Sequence, residues 1–243
     1  MKHDTVTPYN KDQQSKKEQV EEMFDNIAFR YDFLNHFLSA GIDKSWRKEA
    51  IRFLAPKNPK VIADIATGTG DFALEAIKLN PTKVIGIDIS RKMLDVGEKK
   101  ASAKNLQNTI FFEQGDSENL SYPDNTFDAI TVGFGVRNFE NLEKGLLEIK
   151  RVLNKNGSLV ILEVSKPTNP FISFVYTFYF HFLLPTIGRI FSKDSRAYTY
   201  LPESVEAFPR GTQFTELLER LGYCKVSYKP LTFGICAMYT AEK

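Results

Sequence analysis

The run Val61-Ile-Ala-Asp64-Ile-Ala-Thr-Gly68-Thr69-Gly70-Asp71 compresses a strand, a glycine turn and a helix start into eleven residues. Its apolar part, VIADIA (61–66), has the length of a buried strand, and Asp71 to Leu79 reads as a helix. Glycines at such a turn let the backbone approach a ligand closely, and the helix behind offers unpaired N–H groups. Taken alone the turn is ambiguous. Gly68, Gly70 and Ala73 fit a dinucleotide fingerprint, with Asp88 about 20 residues beyond Gly68 as that fingerprint requires.

The same rhythm continues downstream. KVIGIDIS (83–90), TIFFEQGD (109–116), FDAITVGFG (127–135) and GSLVILEV (157–164) read as four more strands. Helices are expected over Arg91 to Ala103 and near Glu140–Leu153. Alternation at this spacing predicts right-handed βαβ units and a parallel sheet covered on both faces. The end of the chain departs from it. Thr212 to Leu221 reads as a helix, and Tyr223–Tyr228 with Gly234–Tyr239 as two strands separated by Pro230.

Upstream, Val20, Met23, Phe24 and Ile27 recur at helical spacing between Ser15 and Arg30. A second helix is expected from Lys44 to Leu54, stopped by Pro56-Lys-Asn-Pro59. The expected organisation is a disordered start (1–14) followed by one domain (15–243), with a helical lid at 15–55 and an aromatic substrate-side insertion at 167–210. The fold class is α/β, a Rossmann-like doubly wound sheet closed by an antiparallel strand pair.

Composition sets outer bounds. Among 243 residues, 42% are hydrophobic, enough for a sizeable core, and a net charge of +2 is too small to argue for nucleic acid. Cys224 and Cys236 form neither a CxxC pair nor a metal-ligand spacing, and both read as core fillers in a reducing compartment. The polar N-terminus lacks a signal peptide's apolar run, so a cytoplasmic protein is expected. His3, His36 and His181 suggest no metal site.

Three features favour S-adenosylmethionine over a dinucleotide. Asp64, in the strand before the glycines, is a carboxylate that suits a cationic ammonium and repels a pyrophosphate. Gly115-Asp116-Ser117 closes the third strand, where an acid and a neighbouring N–H can read an adenine edge. The closing strand pair matches the antiparallel edge of methyltransferases. Asp88, with Ile89 beside it, ends the second strand where ligands of open α/β sheets bind, and is placed to accept from both ribose hydroxyls.

Longer runs carry a resemblance. Phe24-Asp-Asn-Ile-Ala-Phe-Arg-Tyr31-Asp32-Phe-Leu-Asn35 and Gly41-Ile-Asp-Lys-Ser-Trp46-Arg47 resemble the opening of the ubiquinone/menaquinone C-methyltransferases, the UbiE/MenG family. Gly133-Phe-Gly135-Val-Arg137-Asn138 is similar to that family's F-G-[ILV]-R-N motif, and Glu163-Val-Ser-Lys166-Pro167 to its E-x-S-K-P motif. The resemblance spans residues 20 to 240. It implies a class I methyltransferase fold and transfer of a methyl group from S-adenosylmethionine to a ring carbon of a prenylated quinol. The implied quinol is demethylmenaquinol, with the benzoquinol of ubiquinone synthesis as the alternative. It also implies cofactor contacts from Thr69, Asp88, Asp116 and Ser117. The chain departs from the family at Gly133, where Ser is common, and at Asp116-Ser117, where some members carry Asn-Ala.

For ring methylation the protein must help a carbon become nucleophilic. A quinol phenolate pushes electron density onto its ring, whereas the oxidised quinone does not. Arg137 is the candidate cation for that phenolate, Asn138 the residue that orients the ring oxygen, and Tyr31 a hydroxyl relay from the lid. The segment FISFVYTFYFHFLLPTIGRIF (171–191) has the length of a membrane span, but His181, Pro185 and Arg189 interrupt it. It is expected to form a greasy wall for an isoprenoid tail at the membrane surface, with Lys166, Arg189, Lys193 and Arg196 meeting anionic headgroups. A homodimer or a quinone-synthesis assembly is left open. The competing readings are an NAD-dependent oxidoreductase, from the glycines alone, and a non-catalytic cofactor-binding subunit.

Overall fold

Side chains of β1 (Val61–Ile65) alternate strictly between two cores. Ala63 and Ile65 enter one hydrophobic cluster and Ile62 the other, as a period of two demands. The same split runs through β2 (Lys83–Asp88), β4 (Phe127–Gly133), β5 (Leu153–Val164) and β7 (Cys236–Glu242). With β3 (Ile110–Gln114) and β6 (Cys224–Leu231) they form one seven-stranded sheet in the order β3-β2-β1-β4-β5-β7-β6. This computed structural model describes residues 2–9, 11, 13–39, 41–167, 169–178 and 196–243.

The first five strands run parallel, and β7 returns antiparallel between β5 and β6. The doubly wound sheet and its antiparallel closing pair are therefore as the sequence predicts. Pro230 differs from expectation: it lies inside β6, paired with Ala237, rather than between two strands. Because β6 is the edge strand, one of its faces has no partner to miss the absent N–H.

Helices α2 (Asp43–Leu54) and α3 (Asp71–Ala76) cover one face through Trp46, Leu54 and Phe72. On the other face lie α5 (Leu142–Val152) and the helix Thr212–Arg220, which bring Leu146, Ile149, Phe214 and Leu218. Helix α4 (Arg91–Ala103), capped by the Ser90 hydroxyl, packs on β2 and β3. Helix α1 (Lys16–Leu38) runs longer than its apolar spacing indicated and packs against α4. Among the described residues, α6 (Pro170–Phe178) and α7 (Arg196–Ala207) precede the Thr212–Arg220 helix, which is α8.

The expected disordered start is not what the chain shows. Lys2–Thr5 form a 3-10 turn whose His3 is only 1% exposed, set edge-on to Phe208 and packed under α7. A polar sequence concealed this because the anchoring is by hydrogen bonds rather than by an apolar face. Cys236 is buried, but Cys224 lies exposed on the edge strand instead of filling the core. Among the described residues no helix is long and apolar enough to cross a membrane. The rest of the expected aromatic wall, including His181, Pro185, Arg189 and Lys193, lies outside the described residues. Lys166 and Arg196, expected to face headgroups, pair with Glu206 and Glu203.

Candidate active site

A cleft of about 700 Å³ opens at the C-terminal ends of the central strands. Gly68, Asp88, Ile89, Asp116, Ser117 and Gly133 line it from the sheet, as does Asn138. Helix α1 closes its other side with Lys17, Phe24 and Tyr31. Ala66 and Phe134, at the ends of β1 and β4, also line the cleft and both adopt left-handed backbone, at φ of 53° and 59°. That conformation disfavours residues with a Cβ, and such strain collects where surroundings hold it for a purpose.

Two of the glycines do different work. At Gly68 the space where a Cβ would stand holds nothing within 4 Å, so the backbone faces the open cleft. At Gly70 a Cβ would meet the Phe112 ring at 2.6 Å. Gly70 thus serves packing and does not line the cleft, contrary to expectation.

Asp64 and Thr69 also turn away from it. Asp64 lies on the α3 side of β1, fully buried, where Thr67 (2.5 Å) and the Ala73 N–H (3.1 Å) donate to one oxygen. Its cross-strand neighbour Thr131 donates to the other at 2.7 Å. Burial pushes the carboxyl up to about 6 against these three donors. Asp64 fastens the glycine turn from beneath and is not among the residues that line the cleft. Thr69 donates to Asp32 of α1 and accepts from Lys100 at 3.3 Å, tying the turn to the lid helix.

Asp88 sits where the sequence put it. The Gly68 N–H donates to Oδ2 at 2.7 Å and the Ser90 N–H to Oδ1 at 2.9 Å. Burial raises this carboxyl to about 6 despite those bonds. Each oxygen keeps a lone pair for a ligand hydroxyl. Asp116 accepts from the Glu118 N–H at 2.9 Å and from Lys17 of α1 at 2.5 Å.

Lys17 was not foreseen, and it belongs to a pattern. Helix α1 ties itself to the segment after each of the first four strands. Asp32 meets Thr69, Asp25 accepts from the Ser90 hydroxyl, Lys17 meets Asp116, and Glu140 accepts from the Lys16 N–H. No periodicity in the sequence marks these polar contacts.

The turn Val136–Asn138 carries the expected substrate-side residues. Arg137 is not a free cation. Its Nη1 donates to Glu163 at 2.7 Å and to the Phe134 carbonyl, and Glu163 is fully buried. Burial opposes the charge, but Glu163 holds the guanidinium above its ordinary pKa. Glu163 opens the E-V-S-K-P run, and adjacent β4 and β5 bring its side chain to Arg137. The Asn138 Oδ1 and Arg137 Nε atoms are buried without a hydrogen-bond partner among the described residues. Tyr31 lines the cleft, but burial lifts its hydroxyl to about 12, so at neutral pH it is a proton donor and not a base. Behind the turn, His3 Nε2 lies 2.5 Å from the Arg137 carbonyl, and Lys16 donates to the His3 carbonyl at 2.9 Å. Burial lowers the Lys16 ammonium to about 8.

Residues 12–243 match the ubiE/COQ5 methyltransferase family. The chain belongs to that family. A demethylmenaquinone methyltransferase of Bacteroides fragilis is 50% identical over 239 residues, covering 98% of this chain and 97% of its own. The ubiquinone/menaquinone biosynthesis C-methyltransferase UbiE of Geotalea daltonii is 44% identical over 230 residues, covering 94% and 97%. In fold, the chain is similar to a SAM-dependent methyltransferase of Thermotoga maritima, with a TM-score of 0.61, 19% identity and coverage of 91% and 99%. As a ubiE/COQ5 member the chain is an S-adenosylmethionine-dependent methyltransferase, and the oxidoreductase reading from the glycines falls. The site suits that cofactor: open space over Gly68, the Asp88 and Asp116 carboxylates along the cleft, and the Asn138 amide oxygen, which has no hydrogen-bond partner among the described residues.

Proposed function

We propose that this protein transfers a methyl group from S-adenosylmethionine to the ring carbon of demethylmenaquinol, giving menaquinol. The observation that carries the reading is the Asn138 Oδ1 atom, which belongs to a residue lining the cleft and has, with Arg137 Nε on the same turn, no hydrogen-bond partner among the described residues. The names of the Bacteroides fragilis relative and of its Porphyromonas gingivalis and Deinococcus radiodurans counterparts support the same substrate.

In this reading Asp88 holds the ribose hydroxyls, Asp116 and Ser117 the adenine edge, and the Gly68 and Gly133 backbones leave room for the remainder. Bound S-adenosylmethionine supplies a methyl sulfonium, an electrophile that needs a carbon nucleophile. Arg137 stabilises the quinol phenolate through Nε, with Glu163 fixing the guanidinium plane. Asn138 orients the ring oxygen, and Tyr31, protonated at neutral pH, donates a hydrogen bond from the lid. Placement and exclusion of water supply the rest. We further infer contact with a membrane surface, where prenylated quinols reside. Phe171 and Phe174, one helical turn apart on α6, are 76% and 72% exposed.

The test is methyl transfer from labelled S-adenosylmethionine to chemically reduced demethylmenaquinone, with the oxidised form and a reduced benzoquinol alongside. Label on the naphthoquinol carbon, and none with the oxidised acceptor, is the expected result. Transfer only to the benzoquinol supports the second reading, the ubiquinone-pathway reaction, which the name of the Geotalea daltonii relative includes beside the menaquinone one. Cofactor binding without transfer to any acceptor supports the non-catalytic subunit.

A further inference from the structure

Tyr200 of α7 is 2% exposed, and its hydroxyl has no hydrogen-bond partner among the described residues. A buried polar group without a partner is disfavoured, and native structures keep few of them. Its position gives a reason to keep this one. Helix α7 packs against the Val136–Asn138 turn, so Tyr200 stands over the turn that carries Arg137 and Asn138. Its ring belongs to the same hydrophobic cluster as Phe24, Tyr31 and Met93, which line the cleft. Tyr200 and Arg137 are close enough to interact electrostatically, and Glu163 acts on Tyr200 as well. Three buried polar atoms without partners among the described residues therefore lie on this turn and on the helix packed against it: Arg137 Nε, Asn138 Oδ1 and Tyr200 Oη.

Their chemistry is complementary to one kind of ligand. Arg137 Nε offers only a donor, Asn138 Oδ1 only an acceptor, and the Tyr200 hydroxyl either. A dihydroxyarene presents two oxygens, each able to donate and accept. Arg137 and Asn138 suffice for one of them and Tyr31 offers a single donor from the lid, so the second oxygen has room for a further partner that can also accept.

We propose that Tyr200 is a substrate-contacting residue whose hydroxyl binds the second ring oxygen of the quinol. This rests on the quinol reading above. With no bond to lose among the described residues, the hydroxyl is kept for the complex. Tyr200 joins α7 to catalysis by touching the substrate, while α1 supplies Tyr31 from the lid.

The experiment compares the full-length wild type with Tyr200→Phe, which removes one oxygen and keeps the ring. Steady-state kinetics are run with a short-tailed, chemically reduced demethylmenaquinone, beside titration with S-adenosylhomocysteine and thermal unfolding. The expected result is a loss of kcat/KM for the quinol of roughly tenfold or more, the scale of one hydrogen bond in a dry site. Affinity for S-adenosylhomocysteine stays within about twofold and the melting temperature is unchanged or higher, since an unsatisfied buried group has been removed. Unchanged kcat/KM overturns the proposal. So does a parallel loss of cofactor affinity or a lower melting temperature, which marks Tyr200 as structural. If the wild type itself fails on the quinol, the substrate reading fails first, and the two failures are told apart by that arm.

Discussion

The two ends of the cleft are built on opposite principles. At the nucleoside end every carboxylate is already bonded: Asp88 to two backbone N–H groups, Asp116 to Lys17 and the Glu118 N–H, Asp64 to three donors beneath the turn. On the side proposed for the quinol, Arg137 Nε, Asn138 Oδ1 and Tyr200 Oη have no partners among the described residues. The first end is preorganised by one local unit repeated along the sheet, strand then loop then helix. The second is assembled from α1, the Val136–Asn138 turn, β5 and α7, which lie far apart in the chain. A saturated end keeps its shape without a ligand, whereas an end with orphaned groups gives up stability until the ligand arrives.

The sharpest way to break this contrast is Arg137→Ala. It removes the proposed phenolate partner and leaves Glu163 fully buried and unpaired. Stranding a buried charge costs about 3–5 kcal/mol, so the melting temperature should fall by roughly 10 °C. Turnover should drop at least about a hundredfold, with affinity for S-adenosylhomocysteine nearly intact in the folded fraction. Thermal unfolding and kinetics of Arg137→Met/Glu163→Gln separate the two roles. The double variant should recover most of the stability and none of the turnover. Recovery of both would reduce the pair to scaffolding.

The contrast also explains what was legible in the sequence. The doubly wound sheet, the closing antiparallel pair and the placing of Gly68, Asp88, Asp116 and Ser117 around one cleft follow from local rules repeated in register, so a linear reading reaches them. Asp64 is read as a ligand contact from its place before the glycines and Thr69 from the family resemblance, and neither reading includes which face the side chain takes. The alternation along β1 sends Asp64 under the turn. Thr69 is turned by Asp32, 37 residues away. Glu163 was quoted inside a motif without a role, since its pairing with Arg137 depends on β4 and β5 lying side by side. His3 and Lys17 carry no periodic signal at all. Their places are set by single polar contacts, which composition and hydropathy do not encode.

At the nucleoside end, Asp88→Ala should raise the dissociation constant for S-adenosylhomocysteine by roughly ten- to a hundredfold, the scale of charge-assisted bonds to two hydroxyls. Activity at saturating cofactor should remain close to wild type. The pH dependence has two opposite signs. Asp64 and Asp88 both have folded-state pKa values raised from 3.8 to about 6, so protonation favours the folded state. Their contribution to stability is fully present below about pH 4 and is lost as pH rises through about 6. Cofactor affinity moves the other way, because the ribose hydroxyls need an ionised acceptor at Asp88. It should weaken as pH falls below about 6, by up to tenfold per unit for one proton. Titrations with S-adenosylhomocysteine between pH 5 and 8 check this. Asp88→Asn should flatten the affinity profile, while Asp64→Asn should alter only the stability profile. A wild-type affinity flat across that range would show that Asp88 does not hold the ribose as a carboxylate.

The smallest effect is the most informative about the lid. Lys17 and Asp116 are 29% and 28% exposed, so their pair is worth at most about 1 kcal/mol and is screened by salt. Lys17 occupies the Asp116 oxygen that faces α1, and an adenine amino group needs an acceptor at the same carboxylate. Lys17→Ala should therefore tighten S-adenosylhomocysteine binding, by no more than about fivefold. The wild type should approach the variant's affinity as ionic strength rises. Weaker binding in Lys17→Ala would mean that the lysine stays on Asp116 in the complex. Helix α1 would then be part of the nucleoside site rather than a competitor for it, and the division between a finished end and a waiting end would have to be drawn on the far side of the lid.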